Sequence, residues 1–314
     1  MKKLAFVFPG QGAQVVGMGK EMADRYPEAR QVFEAADDAL GFSLSRIIFE
    51  GPEDQLRLTY YTQPAILTTS IALYQVFAKE GYLPSFVAGH SLGEYSALVA
   101  ADAIDFVDAV KVVHQRGKFM DEAVPAGLGA MSAVIGGDRA EIQRICQSVS
   151  GSIGAVELAN INCPGQVVIS GKAEAVAEAG RQLAETGLRV IPLVVSGPFH
   201  SSLMQPAADK LVNVLEAVNV RDAKIPVVAN VSGKPVISAG EIRGALYEQV
   251  ASSVLWEQSV NYMLEQGVEA FVEIGPGQVL SGLIKKVNRR TPTLSVQDPL
   301  SLEKAVSTLK GEAE

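Results

Sequence analysis

Short apolar runs alternate with longer segments of helical periodicity along this chain, and that alternation restricts its fold most. Strand-like runs occupy residues 4–8, 86–88, 227–229 and 271–274. Between them apolar residues recur at intervals of three and four, as in residues 65–80. Strands separated by helices pair in the same direction, because a helical crossover carries the chain back across the sheet. The pattern therefore predicts an α/β architecture around a mainly parallel sheet.

Residues 127–196 have a different rhythm. Strand, helix, strand, strand, helix and strand are predicted there, over 130–135, 138–149, 155–162, 166–170, 173–186 and 188–195. This βαββαβ order is the ferredoxin-like plan, with Asp138 placed to cap the first helix and Gly187 to end the second. We therefore predict a large domain formed by residues 1–126 and 197–314, interrupted by a small ferredoxin-like subdomain.

Charge and hydropathy exclude two classes of partner. The 314 residues contain 27 basic and 35 acidic side chains, a net charge of −8, and nucleic acid requires a basic surface. No stretch of about 18 uncharged apolar residues is present, so no membrane span is expected. The lysines near the start precede an apolar run that is shorter than the apolar region of a signal peptide, which has roughly 7–15 residues. We therefore interpret this run as a first buried strand. With only two cysteines, the composition indicates a cytoplasmic protein.

One strand leads directly into a candidate nucleophile. Residues 89–93 read Gly-His-Ser-Leu-Gly, a GxSxG motif placed between an apolar strand and a helix. The glycines permit a sharp turn that turns the Ser91 hydroxyl outward, and the first N–H groups of the helix face negative charge developing on a substrate. The alternative is a glycine-rich turn whose serine merely caps the helix. The strand-turn-helix context favours the nucleophile.

A serine nucleophile needs a base, and histidine is the usual one near neutral pH. Of the three histidines, His90 adjoins Ser91, and neighbouring side chains on such a turn point in different directions. His114 lies in an amphipathic helix predicted over 106–120 and is most simply a surface or packing residue. His200 follows the last strand of the small segment and is the best candidate, although an ordinary loop histidine would fit there too. No acidic residue is marked as a third member, so a main-chain carbonyl could orient the imidazole.

These motifs form part of an ordered set along the chain. The set comprises FPGQG at 8–12, TQPA at 62–65, GHSLGE at 89–94, QRG at 115–117, NxNxPxQ at 160–166, GPFHS at 197–201 and EIGPG at 273–277. With it the chain resembles the malonyl-CoA:acyl carrier protein transacylases of fatty-acid synthesis, which are related to the acyltransferase domains of polyketide synthases. The resemblance spans nearly the whole chain. It implies a large α/β-hydrolase-like domain paired with a small ferredoxin-like one.

The resemblance also implies a reaction and its partners. A malonyl group would pass from malonyl-CoA to the phosphopantetheine thiol of an acyl carrier protein by a ping-pong route through a malonyl-serine. Coenzyme A and the pantetheine arm are then substrates, and no bound cofactor is expected. Two cysteines and three scattered histidines likewise predict no metal site.

Matching motifs assign the reacting groups. Ser91 resembles the acylated nucleophile of the family, and His200 resembles its base and later acid. Gln249 is most similar in position to a glutamine whose main-chain carbonyl orients that histidine. Gln11 and Leu92 resemble the two main-chain N–H donors of the oxyanion hole.

Further residues are predicted to bind substrate. Arg116, in the QRG motif, resembles the arginine that holds the free malonyl carboxylate, and a planar guanidinium suits that task; a solvated helix arginine is the alternative. Met120 shares its helix face and could wall the pocket. Phe199 resembles bulky residues that crowd an α-methyl branch. Asn160 and His90 are predicted to lie in the same pocket, although an asparagine near a strand edge has an equally good structural explanation.

A basic cluster near the C-terminus is one candidate site for the acidic partners, namely coenzyme A phosphates and an acidic carrier protein. It comprises Lys285, Lys286, Arg289 and Arg290, which a solvated helix end explains almost as well.

Three alternative functions stay open at this stage. The chain could be an acyltransferase of different acyl selectivity, including a trans-acting enzyme of a polyketide pathway. It could be a serine thioesterase or other hydrolase, in which water intercepts the acyl-enzyme. It could also be a non-catalytic protein that binds carrier proteins on a degenerate fold.

Overall fold

Two β-sheets organise residues 2–311, the part of the chain described by the computed structural model; residues 1 and 312–314, which the predicted large domain includes, lie outside it. The strands are β1 (Leu4–Phe8), β2 (Phe86–Gly89), β3 (Gly129–Ile135), β4 (Val156–Cys163), β5 (Gln166–Lys172), β6 (Arg189–Pro192), β7 (Val227–Val228), β8 (Pro235–Val236), β9 (Ala270–Ile274) and β10 (Thr293–Val296). The larger sheet has the order β10-β9-β1-β2-β7-β8, and only the β7–β8 pair is antiparallel. The predicted α/β fold with a mainly parallel sheet is therefore confirmed.

Helices connect and cover these strands. They are α1 (Lys20–Arg25), α2 (Pro27–Leu40), α3 (Leu44–Glu50), α4 (Glu53–Leu56), α5 (Thr59–Ala78), α6 (Gly93–Ala100), α7 (Phe106–Ala123), α8 (Arg139–Ser152), α9 (Ala173–Glu185), α10 (Gln205–Ala217), α11 (Ala239–Ala251), α12 (Trp256–Glu265), α13 (Val279–Val287) and α14 (Pro299–Lys310). Within the described residues, none of these helices combines the length and apolar character that crossing a bilayer requires.

The central strand β1 lies between two apolar cores. Leu4, Phe6 and Phe8 pack into one cluster together with residues of α2, α5 and α7, whereas Ala5 and Val7 join a second cluster with residues of α12 and α13. Successive side chains of a strand point to opposite faces of the sheet. Burial on both faces explains why this strand is an unbroken apolar run rather than an alternating one.

The smaller sheet is built from the segment with the different rhythm. Its strands have the order β4-β5-β3-β6, every neighbouring pair is antiparallel, and α8 and α9 are its helices. Asp138 caps α8 by accepting hydrogen bonds from the main-chain N–H groups of Ala140 and Glu141, and Gly187 follows α9 with a φ of 88°. The last strand, predicted over 188–195, ends at Pro192. Leu193 still donates its main-chain N–H to the Met131 carbonyl of β3 at 2.9 Å, so contact with the small sheet continues one residue past the strand.

Helix α5 differs from its prediction in where it begins. The helix predicted over 65–80 starts six residues earlier, at Thr59, and includes Pro64. Because Pro64 has no N–H, the carbonyl of Tyr60, four residues before it, receives no hydrogen bond within the helix. Nδ1 of His114 lies 2.6 Å from that carbonyl oxygen and donates to it. His114 is therefore a buried packing residue that completes a proline-interrupted helix.

Candidate active site

The turn that bears Ser91 depends on close backbone contacts. Strand β2 ends at Gly89, α6 begins at Gly93, and Ser91 between them has a φ of 51°, in the left-handed region. A Cβ added to Gly89 would lie 1.9 Å from the carbonyl of Gly93, and one added to Gly93 would lie 2.1 Å from the main-chain oxygen of Phe8. Only glycine fits at either position. The two glycines therefore allow the chain to pass from strand to helix in a tight turn, and Ser91 lies at that turn.

Ser91 and His200 are 109 residues apart in sequence, yet the Ser91 hydroxyl lies 2.7 Å from Nε2 of His200. On the other side of the ring, Nδ1 is 2.9 Å from the main-chain oxygen of Gln249. A carbonyl oxygen can only accept, so Nδ1 carries the proton and Nε2 is free to accept the serine proton. Burial, and after it the charge of Arg116, lower the pKa of His200 to about 3. The imidazole is therefore neutral near pH 7, as a general base must be.

Arg116 reaches the same place from α7 and is 1% exposed. Its NH1 group donates to Oε1 of Gln63 at 2.8 Å, and NH2 donates to Oε1 of Gln249 at 3.0 Å and to the Ser91 hydroxyl at 3.2 Å. The ring of Tyr95 lies 5.7 Å from the guanidinium carbon. All these partners are uncharged, and Nε has no hydrogen-bond partner within the described residues. A buried cation with a spare donor can bind a carboxylate that enters beside the serine.

A cavity of about 120 Å³ joins these groups. It is lined by Gln11, Gln63, His90, Ser91, Leu92, Arg116, Met120, Met131, Asn160, Leu193, Val195, Phe199 and His200. Every predicted site residue except Gln249 is in that set, and Gln249 lies directly behind His200. The main-chain N–H groups of Gln11 and Leu92 form no hydrogen bond with the described residues, which leaves both able to donate to a substrate oxygen.

The cavity lies between the two sheets. Asn160 on β4 and Met131 on β3 face the serine turn from the small sheet, and the stretch after β6 adds two further lining residues. His90 contributes to the wall, while its Nε2 lies 2.8 Å from Oδ1 of Asn162. The His90 ring is thus bound to the small sheet, and burial lowers its pKa. The two sheets therefore meet at the reacting groups.

Sequence reasoning missed a polar network beneath the serine turn. Oδ1 of Asn230 accepts from the Ser91 main-chain N–H at 2.6 Å, and its Nδ2 donates to the Gly89 carbonyl at 2.7 Å. Glu94 is 1% exposed, and its Oε2 accepts from the main-chain N–H of Asn230 at 2.8 Å and from Nε2 of Gln249 at 2.9 Å. Burial raises the pKa of Glu94 to about 7, against the opposing effect of those hydrogen bonds.

Signals for the missed residues were present in part. Gln63, Glu94 and Asn162 stand inside the TQPA, GHSLGE and NxNxPxQ motifs. Asn230 belongs to none of the motifs, but it follows β7, the parallel neighbour of β2. The carboxyl ends of adjacent parallel strands lie at the same edge of a sheet, where binding residues concentrate. The position after β7 was therefore the available signal for Asn230.

Comparison with known proteins places the chain in a family. A family model described as an acyl transferase domain matches residues 5–311. The malonyl CoA-acyl carrier protein transacylase of Bacillus subtilis is 53% identical over 99% of this chain and 99% of its own length, and that of Escherichia coli is 47% identical over 98% and 99%. The solved transacylase of Clostridium perfringens is 44% identical, covers 98% of each chain and superposes with a TM-score of 0.95. The chain thus belongs to the acyl transferase domain family and, within it, to the malonyl CoA-acyl carrier protein transacylases.

Proposed function

We propose that this protein transfers the malonyl group of malonyl-CoA to the phosphopantetheine thiol of an acyl carrier protein, in fatty-acid synthesis. The observation that carries the proposal is the buried Arg116 guanidinium next to the Ser91–His200 pair. A nucleophile with a base can accept many acyl groups, but a buried cation beside it selects an acyl group that ends in a carboxylate. The relatives named above bear that activity in their names.

In the first half-reaction His200 takes the Ser91 proton at Nε2 while the serine oxygen attacks the thioester carbonyl. The carbonyl oxygen becomes an oxyanion that accepts from the main-chain N–H groups of Gln11 and Leu92. Loss of one such donor typically raises a barrier by about 2.7–4 kcal/mol, so these two positions carry much of the rate. Collapse of the intermediate expels coenzyme A, which leaves as the thiol after His200 returns the proton. The product is a malonyl ester of Ser91.

The second half-reaction reverses these roles. The pantetheine thiol of the carrier protein gives its proton to His200 and attacks the ester carbonyl, and the same two N–H groups hold the oxyanion. The Ser91 oxygen then leaves with the proton from His200. Throughout, the Gln249 carbonyl keeps the imidazole in the tautomer that presents Nε2 to the serine, in the place of a carboxylate.

The remaining predicted residues shape the acyl pocket. Arg116 binds the malonyl carboxylate, and Met120, one turn along the same helix, walls the pocket beside it. Phe199 is 6% exposed next to His200, where its ring restricts a branch on the acyl α-carbon. Asn160 and His90 close the side towards the small sheet. No bound cofactor or metal takes part in this scheme.

The architecture proposed with this function has two units. Within the predicted ranges 1–126 and 197–314, the described residues are assigned to an α/β-hydrolase-like domain, and residues 127–196 are assigned to a ferredoxin-like subdomain. The βαββαβ element order and the strand order β4-β5-β3-β6 support the second assignment. The cytoplasmic location stays a prediction from composition.

We place the carrier protein against the basic cluster of Lys285, Lys286, Arg289 and Arg290, at and beyond the C-terminal end of α13. All four side chains are exposed, and Lys286 donates to Oε1 of Gln166 at the start of β5. The cluster therefore lies beside the β4–β5 hairpin, whose other strand carries Asn160. An acidic partner held there is near the small-sheet side of the cavity.

A carrier protein of a polyketide pathway is the second candidate acceptor. A solved malonyl-transacylase in complex with a type II polyketide synthase acyl carrier protein is 46% identical to this chain, covers 98% of it, and superposes with a TM-score of 0.94. Assaying carrier proteins of both pathways side by side distinguishes the two acceptors, because the acylation half-reaction is the same for both.

Intact mass spectrometry tests the proposal directly. After mixing with malonyl-CoA, the wild type should gain the mass of one malonyl group and lose it when carrier protein is added. Ser91→Ala should gain nothing. Ser96→Ala is a matched control, because Ser96 is a fully buried serine in α6, the helix that follows Ser91, and lies outside the cavity lining. Discharge of the adduct by water at the same rate without carrier protein would indicate a hydrolase instead.

A further inference from the structure

Glu94 is a buried carboxylate beside the reacting groups that none of the steps above uses. It stands in the first turn of α6 and accepts through one oxygen, Oε2, from the main-chain N–H of Asn230 and from the side chain of Gln249. Burial of a carboxylate is unfavourable unless hydrogen bonds or an opposite charge compensate it. The partners of Glu94 therefore indicate what it does.

Gln249 connects Glu94 to both sides of the reaction. Its Nε2 lies 2.9 Å from Glu94, its Oε1 accepts from Arg116 at 3.0 Å, and its main-chain oxygen accepts from Nδ1 of His200 at 2.9 Å. A side-chain amide has one accepting end and one donating end. The Glu94 carboxylate and the Ser91 main-chain oxygen, which is 3.0 Å from the same Nε2, can only accept. Together they draw the donating end of the amide towards themselves and turn Oε1 towards the guanidinium. The opposite orientation would place an NH₂ group against the Arg116 cation.

We propose that Glu94 is a positioning residue: by holding the Gln249 amide, it fixes the Arg116 guanidinium and the carbonyl that orients His200. The proposal rests on the proposed function, since it assigns Glu94 to the acylation of Ser91 by a dicarboxylic acyl group. Glu94 touches neither substrate nor the reacting atoms, and acts on both through Gln249.

The charge of Glu94 adds a second effect. A charged Glu94 attracts the Arg116 guanidinium and can only accept from Gln249. A protonated Glu94 can also donate, so it no longer fixes the orientation of the Gln249 amide that Arg116 binds. Since burial brings the pKa of Glu94 to about 7, the charge is lost within an accessible pH range. Acylation should therefore accelerate as the pH rises through about 7.

Few other groups near Glu94 titrate in that range. Arg116 faces it from α7, and Tyr95 adjoins it on α6 with a pKa that burial raises further above neutrality. Strands β1, β2 and β7 contain no titratable side chain. From α5, Tyr74 approaches the other end of α6, where it donates to the carbonyl of Ala100. Burial lowers the pKa of His200 to about 3 and also lowers that of His90. A transition in the acylation rate near pH 7 that Glu94→Gln abolishes is therefore assigned to Glu94.

Two substitutions separate charge from hydrogen bonding. Glu94→Gln keeps an accepting oxygen but removes the charge, whereas Glu94→Leu removes both. Glu273→Gln is the matched control, because Glu273 is also fully buried and also accepts from two N–H groups, those of Leu280 and Ser281, which lie outside the cavity. The rate of Ser91 acylation by malonyl-CoA and by acetyl-CoA is followed by quenched intact mass between about pH 5.5 and 8.5, a range that spans both protonation states of Glu94.

The wild-type rate should rise through about pH 7, and Glu94→Gln should show no rise and be about tenfold slower at the upper end, with an unchanged KM for malonyl-CoA. Glu94→Leu should lose about tenfold in its preference for malonyl over acetyl, because Arg116 is no longer fixed. Glu273→Gln should keep the wild-type pH profile and preference.

Wild-type behaviour of Glu94→Gln at every pH would overturn the proposal. An equal loss of active enzyme towards both acyl groups, with KM and pH profile unchanged, would reduce Glu94 to a structural role and overturn it as well. If Glu94→Leu does not fold, comparison of the acylation rate against pH for the wild type and Glu94→Gln still tests the proposal. A wild type that forms no malonyl adduct overturns the proposed function too, whereas rapid acylation with a flat pH profile overturns only the role of Glu94.

Discussion

The guanidinium of Arg116 and the hydroxyl of Ser91 are in direct contact, with NH2 3.2 Å from Oγ. An acyl group attacked by the serine while its far end is bound by the arginine must therefore be short. In a malonyl group a single methylene separates the thioester carbonyl from the carboxylate, which suits this spacing. Under the proposed function, this contact selects a short acyl group that ends in a carboxylate.

Arg116→Ala should reduce kcat/KM for malonyl-CoA by about 10- to 100-fold, the loss expected when a charged hydrogen-bonding partner is removed. Acetyl-CoA has no carboxylate to lose, so its kcat/KM should change little. Competition between the two thioesters, followed by adduct mass, measures the ratio. Arg116→Lys serves as the control for charge, because it keeps the cation without the planar fork. An unchanged malonyl-to-acetyl ratio in Arg116→Ala would remove the arginine from substrate binding.

His200 should make stability depend on pH in a defined direction. Its pKa falls from 6.5 to about 3 in the folded chain, so between those values the folded state binds fewer protons than the unfolded state. The free energy of unfolding therefore decreases as the pH falls below 6.5, by up to about 1.4 kcal/mol per pH unit from this group. His200→Asn removes the effect, so urea denaturation should show the wild type losing stability relative to the variant on acidification. The same dependence of the free energy of unfolding on pH in the wild type and in His200→Asn would contradict the burial of a neutral imidazole.

Gly89→Ala should destabilise the protein by about 3 kcal/mol or more, because the new methyl group has no room against Gly93 and the turn must shift. Gly244→Ala, in the middle of α11, meets no atom within 4 Å and should instead stabilise by about 0.5–1 kcal/mol. Urea denaturation of each variant and of the wild type measures the change in the free energy of unfolding. Equal stability of Gly89→Ala and Gly244→Ala would contradict the close packing of Gly89 against Gly93.

Reversal of the four charges of the basic cluster to glutamate should raise the KM for carrier protein about tenfold at low ionic strength, with the difference shrinking as salt screens the surface. The cluster lies outside the cavity lining, so the KM for a malonyl thioester without coenzyme A phosphates should stay unchanged. A carrier-protein KM that is unaffected at both salt concentrations would dismiss the cluster as the docking face.

The strands and the serine turn could be predicted from the sequence because their signals are local. Strand β1 is buried on both faces and is therefore an unbroken apolar run, and the glycine at 89 is required by contacts with Gly93 and Glu94 in the same turn. The order of elements in the small segment followed in the same way from short-range periodicity and from the cap at Asp138. The start of α5 could not be predicted in this way, because the Tyr60 carbonyl that Pro64 leaves without a helical donor accepts instead from His114, a residue distant in sequence.

The sequence by itself determined the fold class, the serine motif and, through matching motifs, the residues that gather at the cavity. Only the tertiary structure decided how they act on one another. Every residue carries a main-chain carbonyl, so no side-chain pattern distinguishes the one at Gln249 that holds His200. Likewise Glu94 and Asn230 become partners only because β2 and β7 lie side by side. Local patterns encode backbone conformation and burial, whereas hydrogen bonds between distant residues exist only once the sheets have packed.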